Sequence, residues 1–311
     1  MKKKLPRGTG LAGALIVLII AASLISPHFL NPINILNVLR QVALYGILGI
    51  GMTFVILTKG IDLSVGSIVA LVGVTGAVLM EQGMPIPLMV LICIAIGALV
   101  GCVNGFGISF FRIPAFIMTL GCMVMVRGFA LMIADGGTVN PGKLADSFFV
   151  LGGGYILGVP TPIYVFAIVC IIAAVVLSLT PFGRAIYAVG SNEEAARLSG
   201  INVPLVIFSV YIICGVLAAL SGLIFLSRLS VGDPNSGLGL ELEAITIAVI
   251  GGTSLFGGEG TVLGTMGGAM VLAIIANILN LAGVSPFSQQ VVKGAIIVLA
   301  VLLEAGRKAR R

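Results

Sequence analysis

Charge is what this sequence has least of. Of 311 residues only 9% are charged while 59% are hydrophobic, and the mean hydropathy is +1.23; an ordinary soluble domain carries about a quarter charged residues. So few charges cannot cover a soluble surface. Soluble enzymes, nucleic-acid binders and disordered chains are excluded on that ground, and a polytopic membrane protein is the class that remains. Histidine occurs once and tryptophan not at all. His28, beside Pro27, reads as a solvated turn residue, so no catalytic histidine is available. No GxxxxGK[ST] loop occurs despite 43 glycines, so the chain is not expected to bind and hydrolyse ATP itself. GxSxG and HExxH are also missing. The five cysteines, Cys93, Cys102, Cys122, Cys170 and Cys214, form no CxxC or Cys/His spacing and read as small packing residues, with no metal site and no cofactor in this chain.

What charge there is sits at the ends. The net charge is +6, and eight of the seventeen basic residues are Lys2, Lys3, Lys4, Arg7, Arg307, Lys308, Arg310 and Arg311. Basic flanks beside apolar segments resist translocation, which places both termini in the cytoplasm and makes the number of spans even. The start, Met1 to Gly10 followed by an apolar run to Ile25, reads either as a first span or as a cleavable signal peptide, the former being favoured because apolar segments continue throughout. The domain reading is a basic tail over 1–10, one transmembrane domain over 11–304, and a basic tail over 305–311.

Stretches of about 20 apolar residues mark membrane-crossing helices. Ten candidates appear, at 11–26, 42–58, 66–80, 87–109, 115–134, 162–180, 205–226, 242–256, 262–280 and 289–304, giving an all-α protein of about ten transmembrane helices. Four are short or glycine-broken: the second and third flank Lys59 to Asp62, and the eighth and ninth flank Gly257 to Gly260. Irregular backbone is expected at both turns. Threading the spans from a cytoplasmic start puts Lys59, Arg112, Arg184, Arg197 and both tails inside, twelve of the seventeen basic residues. Residues 27–41 are too polar to span and read as a short helix on the outer surface, with Asn34 as its cap. The longest outer connection, Asp135 to Pro160, is either a segment packed over the external mouth or a mobile loop. Gly83 to Pro87 and Gly158 to Pro162 echo each other ahead of the fourth and sixth spans, as two helix starts or as the trace of a duplication. Gly97, Gly101 and Gly105 make two GxxxG steps and Gly264 with Gly268 another, the signature of close helix packing.

Ionisable groups inside a membrane are functional candidates because burying them is costly. Arg127 is the deepest; it either faces the pathway or pairs with a helix end, Glu241 or Glu243. Asn104 joins it as an embedded polar residue. Asp62 with Ser64, and Glu259 with Thr261, sit in the two short cytoplasmic turns and read as helix-start caps. No chain of embedded carboxylates suggests a proton relay, which counts against a proton-driven carrier.

The most informative polar stretch is cytoplasmic, Thr180 to Asn202. Asn192 is a good cap, Glu193 and Glu194 fill a first turn, and Arg197 and Gly200 close the end, so 193–199 is expected as a short helix. Ala195, Ala196 and Leu198 are not needed to span anything, and the element reads as a docking helix for a cytoplasmic partner or as a solvated connector.

Glu194-Ala195-Ala196-x-x-x-Gly200 resembles the E-A-A-x-x-x-G loop of ABC-importer permeases. Gly60-Ile61-Asp62-Leu63-Ser64-Val65-Gly66-Ser67, Phe116 to Gly121 with Arg127-Gly128, and Ala248 to Gly258 are similar to signatures of the ribose, xylose, arabinose and galactoside permeases, nearest the ribose permeases, over about residues 11–304. The segment Ile113-Pro114-Ala115 gives no help with substrate. The resemblance implies a multi-pass permease of the bacterial inner membrane, a homodimer or pseudo-dimer. It would receive a monosaccharide from a periplasmic or lipid-anchored binding protein, and a cytoplasmic tandem ATPase would hold ATP and magnesium. Glu194, Ala195, Ala196 and Gly200 would belong to the coupling helix. It implies no covalent chemistry and no nucleic-acid partner, with membrane lipid as the surroundings of the chain. Permeases for branched-chain amino acids or autoinducer-2, and an ion-coupled secondary carrier, are the alternatives.

Overall fold

The computed structural model describes residues 9–309, so most of the basic tail calculated for the start, including Lys2, Lys3, Lys4 and Arg7, lies outside the described residues, as do Arg310 and Arg311. Thirteen α-helices follow one another: α1 Thr9–Ile25, α2 Pro32–Leu57, α3 Val65–Glu81, α4 Ile86–Ser109, α5 Ala115–Ile133, α6 Ala145–Phe148, α7 Thr161–Leu179, α8 Pro181–Ser191, α9 Glu193–Leu198, α10 Val203–Leu229, α11 Leu240–Ile250, α12 Val262–Leu281 and α13 Pro286–Ala309. Among the described residues the extended structure is a two-residue antiparallel pair, β1 Tyr155–Ile156 with β2 Val159–Pro160, and an isolated antiparallel bridge between Val139 and Gly232. Six helices, α2, α4, α5, α7, α10 and α12, are long and apolar enough to cross a membrane, and α1 and α3 are shorter apolar helices.

Two helices organise the bundle. α2 is buried along most of its length and touches α10, α12, α11 and α7, while α10 packs against α4, α2 and α3. The GxxxG residues of α4 explain the closest of these seams: a methyl group added at Gly97 would lie 2.3 Å from the Gly215 carbonyl oxygen of α10, and one at Gly101 would lie 2.4 Å from that of Tyr211. Without a hydrophobic drive between helices in lipid, this approach of backbones is what van der Waals packing requires. Gly264 and Gly268 do the same for α12 against α11.

Two expectations about boundaries are corrected, and one left open between two alternatives is decided. Residues 27–41 are not a separate surface helix: Asn31, not Asn34, is the N-cap, its side chain accepting from Ile33 N at 2.9 Å, and from Pro32 one helix runs unbroken to Leu57. The Asn-Pro pair starts the helix, and its polar first turns are largely exposed, with burial setting in from Val38. Asn34 pairs with Asn277 of α12, each amide donating to the other at 3.0 and 2.8 Å. The stretch 242–256 is not one helix either, because α11 stops at Ile250 and Gly252 turns left-handed at φ 89. Finally, the connection 135–160 is folded onto the bundle: Val139 and Gly232 exchange backbone hydrogen bonds at 2.8 Å, Phe148 is buried, and Ser227 of α10 accepts from Gly152 N at 2.8 Å.

Candidate functional site

The face carrying α8 and α9 is built by local signals. Thr180 caps α8, its hydroxyl accepting from Gly183 N at 3.0 Å, with Pro181 at the first helical position. This 11-residue helix was not anticipated, although a Thr-Pro start is the standard cue. Asn192 then caps α9, its Oδ1 accepting from Ala195 N at 3.1 Å. At the other end Ile201 N donates to Ala196 O at 3.1 Å and Gly200 N to Arg197 O at 3.0 Å, with Gly200 at φ 82. That pair of bonds is a Schellman closure, which needs a residue tolerant of the left-handed region. α9 therefore spans 193–198, one residue shorter than expected.

Only Ala196 of this helix is buried. Glu193, Glu194, Ala195 and Arg197 are exposed, and Leu198 is 79% exposed. Arg197 donates to Glu194 at 2.6 Å, and this hydrogen bond holds the guanidinium above its ordinary range. Behind α9 the chain is tightly joined to two other segments. The Tyr187 hydroxyl of α8 donates to Gly260 O at 2.8 Å, burial raising this phenol above its usual value. Gly258 N donates to Leu57 O at 3.0 Å, and a methyl added at Gly190 would lie 1.7 Å from that same oxygen. The end of α8, the end of α2 and the turn before α12 thus meet at one carbonyl.

Asp62 was expected as a helix-start cap, but the N-cap position of α3 falls to Ser64 and Asp62 stands two residues ahead of it. It is 0% exposed, enclosed by α4, α5 and α10. Its Oδ1 accepts from Ser64 N at 2.9 Å and Ser64 Oγ at 2.6 Å, and Asn104 of α4 donates to Ser64 Oγ at 2.9 Å. Ser64 occupies the N-cap position of α3 without a side-chain cap bond. The neighbouring Ile61 carbonyl accepts from Thr119 of α5 and Tyr211 of α10, both at 3.3 Å. Asp62 and Asn104, which sequence reasoning kept apart, therefore belong to one buried cluster. Sequence polarity marked the turn, and packing from three helices took it out of water. The matching turn before α12 divides its roles differently: Thr261 is the N-cap, accepting from Gly264 N at 3.0 Å, and the Glu259 carbonyl accepts from Ser254 N at 2.8 Å, so Glu259 is not the capping residue.

Arg127 lies on α5, about 18 Å along it by helical rise. It donates through Nη1 to the carbonyls of Pro234 and Ser236, the latter at 2.7 Å. Its hydrogen-bond partners are thus backbone oxygens ahead of α11, where the sequence had left the pathway, a helix end, Glu241 and Glu243 open; Glu243 pairs with Lys293 of α13. The carbonyls belong to an irregular segment, 230–239, that leads into α11. Gly232 packs on Gly73, Val74 and Ala77 of α3, whereas the Gly237 carbonyl approaches Gly66 at the start of α3. The segment therefore runs along α3 for about 10–16 Å before the 11-residue α11 begins. At about 16 Å, α11 is half of what a hydrocarbon layer of about 30 Å requires.

Comparison with known proteins gives a consistent picture. The family described as branched-chain amino acid transport system / permease component matches residues 34–301. The ribose import permease protein RbsC of Haemophilus influenzae is 44% identical over 293 residues, covering 94% of this chain and 91% of that one. RbsC of Bacillus subtilis is 45% identical over 295 residues, covering 95% and 92%. The xylose transport system permease protein XylH of Escherichia coli K12 is 35% identical over 342 residues, covering 91% and 87%. No solved structure matches the chain.

Proposed function

The chain belongs to the family of branched-chain amino acid transport system permease components, and from that premise we propose that it is the membrane-spanning permease subunit of an ATP-driven monosaccharide importer of the bacterial inner membrane, with ribose the first solute to try. The ribose permeases' 44–45% identity over nine-tenths of the chain is the observation that carries this reading. The chain is the transport component and no enzyme. Ten membrane-crossing elements, α1 to α5, α7 and α10 to α13, with both termini and α8–α9 in the cytoplasm, accommodate the twelve basic residues placed inside. A second copy of the chain, a cytoplasmic tandem ATPase holding ATP and magnesium, and a periplasmic or lipid-anchored sugar-binding protein complete the machine.

In this reading α9 seats in the ATPase, offering Glu193, Glu194, Ala195, Arg197 and Leu198, while Ala196 and Gly200 hold its shape. ATP-driven closure of the cassettes displaces α9, and α8 passes that displacement to Leu57 O and Gly260 O. The inner end of α2 and the start of α12 move together because they share those contacts, so access alternates between the two sides with no covalent change in the sugar. Uptake of labelled ribose into proteoliposomes holding permease, ATPase and binding protein is expected to require ATP and all three components. Inverting the charge at Glu194 is expected to uncouple uptake or loosen ATPase association; unchanged uptake together with unchanged recovery of the complex would sink the coupling role. Uptake by the permease alone, abolished by collapsing an ion gradient and indifferent to ATP, would establish the secondary-carrier alternative.

A further inference from the structure

Segment 230–239 is irregular backbone at a depth where lipid cannot serve it. Its Gly237 carbonyl touches the second residue of α3, and the guanidinium that binds Pro234 O and Ser236 O sits about 18 Å along α5. Non-helical backbone at such depth is tolerated only where it is buried in protein or lines a water-filled space. Arg127 accounts for two of the carbonyls, and turns such as Ser236 N to Asp233 O at 3.0 Å and Asn235 N to Asp233 Oδ1 at 2.8 Å account for further groups. The Asn235 side chain is nonetheless exposed on the surface of the protomer, with Asp233 and Ser236 half-buried beside it. An amide facing hydrocarbon would forfeit its hydrogen bonds at a cost of several kcal/mol, and no protomer gains by displaying one there.

We propose that segment 233–239 lines the solute path, and that Asn235, presented from this turn braced by Arg127, is a hydroxyl-binding contact for a neutral polyhydroxylated solute. The proposal rests on the permease reading and supplies what that reading leaves open, the surface the solute meets. An amide offers one acceptor and two donors, which suits sugar hydroxyls and carries no charge to retain them. Arg127 does not touch the solute in this arrangement; it is a positioning residue, since the Nη1 bonds it makes fix the turn that presents Asn235. The side of the protomer that carries Asn235 accordingly faces the path, while Leu99 of α4, 64% exposed and set between Gly97 and Gly101 that pack on α10, is the apolar surface taken for comparison.

Cysteine substitution in the assembled complex tests this. Asn235→Cys and Leu99→Cys are each treated with a charged, membrane-impermeant thiol reagent and with an apolar maleimide, and ATP-driven ribose uptake is measured before and after; the unsubstituted chain sets the background of its five native cysteines. The expected result is that the charged reagent modifies Asn235→Cys at least tenfold faster than Leu99→Cys, that saturating ribose with binding protein slows the modification, and that modification abolishes the uptake present beforehand. Modification by the apolar reagent alone, as at Leu99→Cys, would overturn the proposal, and so would charged modification that leaves uptake unchanged. If Asn235→Cys fails to assemble, Leu238→Cys, exposed on the same segment, is read by the same outcomes. Uptake by the unsubstituted chain and by Leu99→Cys before any reagent reports on the permease reading separately, so a loss confined to Asn235→Cys counts for the contact and not against the permease.

Discussion

Two helices of this bundle, α3 and α11, begin after an irregular stretch, and they treat it in opposite ways. Ahead of α3, residues 60–64 turn their polar groups inward: Asp62, Ser64 and Asn104 bond to one another, Thr119 and Tyr211 hold Ile61 O, and Asp62 and Ser64 show nothing to the outside. Ahead of α11, residues 230–239 are held from one side by Arg127 and α3, and Asn235 is left exposed on the other. Both stretches satisfy most of their backbone, yet one is enclosed on every side and the other is open on one. A broken helix inside a membrane is thus not in itself a transport site; the side left without protein decides its use.

Three substitutions would break or sharpen that contrast. The largest effect is expected at Asp62→Leu, which strips the partner from Ser64 N and Oγ and forces a bulkier side chain into a closed space, lowering stability by about 3–6 kcal/mol. Asp62→Asn keeps an acceptor and should recover most of the loss; thermal unfolding of the detergent-solubilised chain reads both, and equal damage from the two would show that the turn depends on ionised Asp62 and not on its hydrogen bonds. Next comes Arg127→Met. Losing two charge-assisted bonds to carbonyls should lower stability by about 2–4 kcal/mol and, unlike Asp62→Leu, should raise the KM for ribose uptake more than it lowers the maximal rate, with Arg127→Lys restoring part of it. The smallest effect is expected at Gly200→Ala, far from both stretches. A left-handed φ of 82 at a residue with a Cβ costs about 1–2 kcal/mol, enough to fray α9 and weaken ATPase recovery, with ribose KM unaltered.

Local chemistry was legible in the sequence and depth was not. The Asn192 cap, the Glu193 and Glu194 first turn and the Gly200 closure stand within nine residues of one another, so α9 could be read to within one residue. Hydropathy windows failed where a helix begins with polar turns, as α2 does at Pro32, and where glycine ends one early, as at Gly251 and Gly252. Asp62 was placed in the right turn as a cap, but its burial could not be read because α4, α5 and α10, which enclose it, are distant in the chain. The same reason hid the Arg127 contact with Pro234 and Ser236: nothing in either segment's own pattern names the other.

Across the bundle from α9, the amides of Asn34 and Asn277 fasten the ends of α2 and α12 that lie away from it with two hydrogen bonds that carry no net charge. Dissolved salt screens ion pairs at a surface within about 10 Å at 0.1 M, and acid removes carboxylates, but neither alters a pair of amides. A bacterium cannot regulate the medium beyond its inner membrane as it regulates its cytoplasm. In the proposed orientation the fastening on that side is indifferent to ionic strength and acidity, whereas the exposed Glu194–Arg197 pair would lie where the cell sets both.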